Sequence, residues 1–280
     1  ALNIYNDLNY DEEATLNNVD EILNSKLTQR NLALGITYNR IWSDKVTTSA
    51  QLSLSNYDLD ATNFDVNSNQ RLIQENKVLD TGFKLHLTFK PDEIINYFGG
   101  YQFSEVGVSN LEDVNNPVFR RLAKEVIRTH SIFNEIGFSS KSKKTNARIG
   151  LRTNYIEKFS EIYFEPRITF SQRFLSHFRI ELLGELKSQT TSQIIDLQND
   201  FLGVEKRRWV VSNNDDIPNI KSKQFSAGLH YNKNKLLISA EAYIKEVEDI
   251  TTRSQGFQNQ YQFINAIGRY RIKGIDLLVN

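Results

Sequence analysis

The chain has 280 residues, 39% of them hydrophobic, and its 34 basic and 34 acidic side chains leave no formal net charge at pH 7. That balance argues against a nucleic-acid-binding protein, and the absence of cysteine excludes disulfides, thiolate metal sites and a cysteine nucleophile. No stretch approaches the ~18 apolar residues of a spanning helix, whereas a mean hydropathy of −0.47 leaves a membrane β-barrel open, because alternation hides the apolar half of such a wall.

In chain order the pattern has period two, not 3.6. Leu32, Leu34, Ile36 and Tyr38 alternate with Asn31, Gly35, Thr37 and Asn39; the chain turns near Ser43-Asp44 and resumes with Val46, Thr48, Ala50, Leu52 and Leu54. Phe83, Leu85, Leu87 and Phe89 oppose Lys84, His86 and Thr88, before a turn at Lys90-Pro91-Asp92 and a strand through Tyr97, Gly99, Tyr101 and Phe103. Residues 125–138 and 147–155 form another pair, as do 162–170 and 178–186. The cleanest alternation follows, in residues 222–231 and again from Leu236 to Ile244, joined through Asn232-Lys233-Asn234 as a hairpin. A last strand starts near Arg269, for roughly eleven strands in all. Pro166 falls within a strand on the apolar parity and should mark a bulge or local break.

The connections sort by parity. Tight turns at Ser43, Pro91, Ser139, Gln172 and Asn232 alternate with long polar segments at 11–26, 57–71, 105–122, 188–221 and 246–268, and only the link from Tyr155 to Ser160 is shorter than this alternation predicts. Short turns on one side and long loops on the other suit an all-β, antiparallel, up-and-down transmembrane barrel; a Greek-key sandwich has no reason to sort loops this way. Tyr38, Trp42, Phe89, Tyr97, Phe138, Phe170, Phe174, Phe178 and Tyr231 lie near the short turns, where an aromatic girdle would sit at one membrane interface. With the apolar parity facing lipid, Tyr163, Glu165, Arg167 and Thr169 face a lumen with His177, Arg179, Glu181, Glu185 and Lys187, charges of both signs that a soluble core would not bury. Arg271 and Lys273 share the parity of Ile275, Leu277 and Val279, and are expected at the outer headgroups.

At this point three stretches resemble the barrel of a TonB-dependent outer-membrane receptor of the Bacteroidota type. They are Glu165-Pro166-Arg167-Ile168 with the strand ending Gly184-Glu185-Leu186, residues 221–229 after a long loop, and Asn265-Ala266-Ile267-Gly268-Arg269 followed by Gly274-Ile275-Asp276-Leu277. In the last, Asp276 stands where the pattern usually has Glu. The resemblance spans essentially the whole chain and implies one barrel domain over residues 1–280, without the plug domain and TonB box that precede such a barrel. It implies localisation in the outer membrane of a Gram-negative bacterium and energised uptake of a scarce solute: siderophore, vitamin, glycan or peptide. The partners it implies are outer-membrane lipid, the solute, the TonB complex acting through a plug, and a surface lipoprotein. A full barrel of this kind has about 22 strands, so this chain reads as roughly half of one. The opening at Ala1 without a leader and the end at Asn280, without the usual terminal aromatic, are both expected of a piece of a longer chain.

No catalytic, cofactor or metal constellation emerges, and the expectation is a transporter rather than an enzyme. His86, His130, His177 and His230 lie on different predicted strands without ligand spacing, and no nucleophile elbow, P-loop or H-E-x-x-H occurs. Asp58, Asp60, Asn63 and Asp65, and residues 213–216, are acidic clusters lacking the glycine and terminal glutamate of a calcium loop. The basic run Lys141-Ser142-Lys143-Lys144 reads as a solvated turn. Substrate contacts cannot be assigned to residues; specificity is placed in the loops following Tyr57, Glu105, Ser188 and Glu246. The competing readings are a passive porin-like barrel, a barrel-embedded enzyme, and a soluble all-β glycan-binding or structural protein.

Overall fold

The computed structural model describes residues 2–11, 23–65, 68–196, 206–213, 217–255 and 263–280. Fourteen strands form one sheet, and the described residues contain no helix. From β1 (Leu2–Asp11), the chain runs through β2 (Leu23–Ser43), β3 (Val46–Asp65), β4 (Gln70–Phe89), β5 (Ile95–Asn115), β6 (Val118–Ser139), β7 (Thr145–Ile156), β8 (Glu161–Phe174) and β9 (Phe178–Gln189), each antiparallel to the one before. β9 then pairs with β12 (Ile220–Lys233), which pairs with β13 (Leu236–Gln255), and β13 with β14 (Phe263–Val279). The remaining two, β10 (Thr191–Asp196) and β11 (Lys206–Val211), are a hairpin inserted between β9 and β12. The sheet is not closed: neither β1 nor β14 has a second partner strand among the described residues.

Every second connection is tight and lies at the same end. At β12–β13, Asn234 and Lys235 take φ of 49° and 70°, the left-handed pair that a two-residue hairpin needs. At β4–β5, the Asp92 carboxylate accepts from the backbone N–H of Ile94 and of Ile95 at 2.7 and 2.8 Å, replacing ladder bonds that the turn cannot make. The Asp92 carboxyl is accordingly held below its ordinary value by these two backbone donors.

At the opposite end the structure corrects the expected long loops. Segments 57–71 and 105–122 are mostly strand: β3 and β4 stay paired to Asp65↔Gln70, and β5 and β6 to Asn115↔Val118, closed by Asn116-Pro117. Both faces carry polar residues at this height, so hydrophobic alternation fades while the main-chain ladder continues. The same effect hides β1, β10 and β11, and starts β14 at Phe263 rather than near Arg269. β3 to β6 therefore rise well above the short β7 and β8. The link between those two, residues 157–160, is a single turn.

The two faces differ as the parity requires. Tyr97, Ile136, Ile149, Ile168, Gly184, Phe225 and Ile244 are successive cross-strand partners on one outer row. Along that face Ile36, Leu52, Ile132, Ile149, Ile168 and Phe225 are all exposed. In water this would be an aggregation surface; against acyl chains it is the contact layer. Tyr38, Trp42, Phe89, Phe138 and Phe174 border it at the short-turn end. A second aromatic set borders it above, where His130 packs against Tyr101, Phe103 and Tyr155. Roughly 8–10 residues separate the two sets, about 26–33 Å of strand at ~3.3 Å per residue, which a tilted strand converts to the height of a bilayer's apolar core. The sequence hides this upper set because it marks the membrane level rather than the strand ends.

Pro166 acts on one side only. Odd residues of β8 bond to β7, as Arg173 N–H does to the Lys144 carbonyl, so the amide missing at Pro166 is one directed at β9. The β7–β8 register runs through Leu151↔Pro166 without a shift, whereas the β8–β9 ladder ends at Arg167↔Glu185. There is no bulge, and the break is confined to the β9 side.

Candidate solute-facing site on the inner wall

Where the β8–β9 ladder stops, the inner face opens into a cavity of about 470 Å³. Its lining includes Gln102 and Ser104 of β5, Ser131 of β6, Arg152 and Asn154 of β7, Glu165 and Arg167 of β8, and Glu185 and Lys187 of β9. The Glu165 carboxylate replaces the missing ladder bonds, accepting from Ser188 N–H at 2.8 Å and from Ser188 Oγ at 2.6 Å. Arg152 is the hub. Its guanidinium donates to Asn154 Oδ1 (2.9 Å), Gln102 Oε1 (3.2 Å) and Ser131 Oγ (2.8 Å), and lies 4.0 Å from Glu165. Ser131 Oγ in turn donates to Asn154 Oδ1, so the two buried polar groups bond each other and both also accept from the arginine.

Below this hub the inner wall carries rings. Phe98 and Phe133 pack 5.4 Å apart, with Lys84 Nζ 5.0 Å and the Arg152 guanidinium 6.0 Å from the Phe133 ring. Gly100, the partner of both His86 and Phe133, leaves no room for a side chain: a Cβ there would lie 2.1 Å from the Leu85 carbonyl oxygen. Closer to the short turns, Arg148, Thr169, Glu181 and His230 line a second inner cavity of about 360 Å³. Glu135 of β6 lies 3.9 Å from Arg148 of β7 and 3.8 Å from Arg167 of β8, so the wall carries charges of both signs here too.

The β10–β11 hairpin folds onto this inner face. The Trp209 N–H donates to Asn76 Oδ1 (3.1 Å) of β4, and its carbonyl accepts from Asn110 Nδ2 (3.0 Å) of β5. Its ring meets Tyr57 edge-on at 6.4 Å, and the resulting burial raises the Tyr57 phenol above its ordinary pKa. Arg208 lies 3.5 Å from Glu112. Val211 joins Val108, Ile127 and Ile156 in the apolar cluster of the upper wall, with Trp209 and Phe159 packed against it. The strap thus lies over the inner side of the raised wall, and Thr190 and Thr191 at its root complete the cavity beside Arg152.

Glu165, Arg167, Glu185 and Lys187 line the first cavity, and Thr169 and Glu181 the second. Sequence reading missed Arg152, Ser131 and Asn154, whose only signal is parity, and Trp209, which lies in a segment taken for loop. The histidines remain apart: His86 and His230 are inward, His130 is outward and bonded to Tyr101 and Glu157, and His177 is at a turn. Glu157, in the β7–β8 turn, is held below the ordinary carboxylate range chiefly by the His130 hydrogen bond. The Asp58 cluster is split, since Asp58 and Asp60 have one parity of β3 and Asn63 and Asp65 the other. No metal-binding group occurs among the described residues, and residues 214–216 of the second acidic cluster lie outside them.

The sequence matches the family model described as "TonB dependent receptor-like, beta-barrel" over residues 2–280. No curated protein sequence matches it. Among solved structures, the RagAB peptide transporter aligns with a TM-score of 0.60 at 13% identity, over 92% of this chain and 34% of that one. The copper transporter OprC aligns with a TM-score of 0.66 at 14% identity, over 98% and 49%. The ferric yersiniabactin uptake receptor FyuA from Yersinia pestis gives 0.61 at 9% identity, over 92% and 40%. The chain therefore spans between a third and a half of these proteins. At such identities the structural likeness speaks to fold alone, and it agrees with the wall described above. On the family match over nearly its full length, the chain belongs to the TonB-dependent receptor β-barrel family, whose members are transporters rather than enzymes.

Proposed function

We propose that this chain is part of the barrel of an outer-membrane receptor that takes up a scarce solute by coupling to TonB through a plug domain outside residues 1–280. What chiefly supports this reading is the wall itself, with an apolar outer row at membrane height and a two-signed inner face beneath a strap docked by Trp209. The solute is captured at the raised upper wall and handed down along the Arg152–Glu165 region when the plug moves. Alternating Arg152, Arg167 and Lys187 with Glu165 and Glu185 suits an amide-rich or zwitterionic solute of the peptide class better than a uniformly charged one. In this reading outer-membrane lipid surrounds the wall, and a surface lipoprotein is a candidate partner at its upper rim.

The test is uptake by cells carrying the full receptor gene, with and without TonB, using a panel of labelled oligopeptides, a glycan and a ferric siderophore. Energised uptake stops when TonB is deleted. Transport that persists without TonB overturns the reading and favours a passive barrel, and a preference for the glycan or siderophore overturns the peptide class alone.

A further inference from the structure

Above the membrane level, β6 has only one hydrogen-bonded partner strand among the described residues. β5 pairs with it along its whole length, but β7 ends at Ile156, opposite Thr129, and the last bond on that side is from Glu157 N–H to the Arg128 carbonyl at 3.1 Å. Residues 118–127 therefore form a strand edge with no partner strand among the described residues, some 34 Å long at about 3.4 Å per residue.

The ladder alternation fixes which groups are free. The Ser139 N–H bonds to the Ile94 carbonyl, so odd residues of β6 face β5, and Ser140 bonds to Thr145, so even ones face the other side. The open row is thus the main chain of Arg120, Leu122, Lys124 and Val126, with the carbonyl and amide of Val118 at its tip. The side chains of the same residues point outward and alternate in kind. Val118, Leu122 and Val126 are 89%, 54% and 48% exposed, and between them stand exposed Arg120 and Lys124, with Arg121 exposed on the inner parity. Over residues 118–127 the only acid is Glu125, already held by Lys158 at 2.5 Å; Arg120 meets Asp113 of β5 at 3.6 Å but stays 70% exposed, with guanidinium donors left for a further carboxylate.

We propose that this edge is a docking site for an extended, acidic segment of a separate polypeptide, which adds to the wall as a further antiparallel strand. The open main chain supplies register and affinity, and the alternating apolar and basic side chains select a segment that alternates apolar with acidic residues. Basic residues on an edge can also serve only to deter pairing. A purely defended edge, however, has no use for three exposed aliphatic side chains interleaved with its charges.

The full receptor in detergent micelles provides the test. Hydrogen exchange first reads the amides of Arg120, Leu122, Lys124 and Val126, which exchange rapidly in the receptor alone; protection there means its own chain covers the edge and overturns the proposal. The probe is a fluorescein-labelled decapeptide, Val-Thr-Glu-Thr-Val-Thr-Glu-Thr-Val-Thr, compared by anisotropy with its counterpart carrying Lys for Glu. The acidic peptide binds and slows those four amides, while the lysine peptide does not bind. Lys124→Pro removes an amide from the open side alone, leaves the β5 ladder intact, and weakens binding roughly three- to tenfold. Arg120→Glu with Lys124→Glu reverses the preference between the two peptides. Binding of neither peptide, equal binding of both, or full affinity in Lys124→Pro with unchanged heat-modifiable gel mobility each overturns the proposal.

Discussion

Single residues here act by standing in for main-chain partners. Glu165 takes over Ser188 where Pro166 has no amide to offer, and Asp92 takes over Ile94 and Ile95 where the chain must turn. The second substitution depends on charge. Because the folded pKa of Asp92 is depressed, its contribution to the turn is fully present above the ordinary carboxylate value and is lost as pH falls through the lowered folded value. Exchange protection of the Ile94 and Ile95 amides, corrected for intrinsic rate, should therefore decline between neutral and acidic pH. In Asp92→Ala it should be low throughout. Protection that is high and independent of pH in both proteins would show that the ladder, not the carboxylate, closes the turn. Pro166 and Asp92 announce themselves in sequence because proline and Asx turns have local rules; Arg152 does not, because its partners Gln102, Ser131 and Asn154 come from three strands.

Among the elements, the β10–β11 strap differs most from what alternation suggests. Its six-residue strands pair with each other over their full length and are also held to the wall: Trp209 is fixed through both its backbone groups and its ring, and Val211 through the upper apolar cluster. Trp209→Ala should cost the docked strap about 2 kcal/mol, less than a fully buried tryptophan because the ring is only half-buried. Limited proteolysis of the full receptor checks this, with the first cleavage expected to move into the strap while the barrel resists. An unchanged cleavage pattern would mean that Val211 and the Arg208–Glu112 contact suffice. The strap was illegible because hydrophobic periodicity reports a sheet with one wet and one dry face. A hairpin docked over a lumen has no such contrast.

For the molecule as a whole, outward-facing residues must meet lipid at one height and water above it. Ile168 lies on the outer row with Ile149 and Phe225, half a strand from the short turns, whereas Arg271 stands higher, where it donates to Glu246 at 2.7 Å. An arginine at Ile168 should destabilise the receptor by roughly 2–4 kcal/mol in a bilayer, and Arg271→Leu by about 1 kcal/mol at most. Denaturant unfolding of the full receptor in phospholipid vesicles measures both. Equal effects would place the two residues at one depth and move the apolar belt.

Residue order alone determined the strand alternation, the parity of the faces, the tight turns at one end and the inward Glu165, Arg167, Glu185 and Lys187. It could do so because lipid on one side and a polar lumen on the other impose period two wherever the wall crosses a membrane. Only the tertiary structure decided how far the strands rise beyond that level, where β6 loses its partner, and how Trp209 seats the strap beside Arg152. Those features rest on main-chain ladders and on side chains brought together across many strands. Neither leaves a periodic trace in the residues themselves.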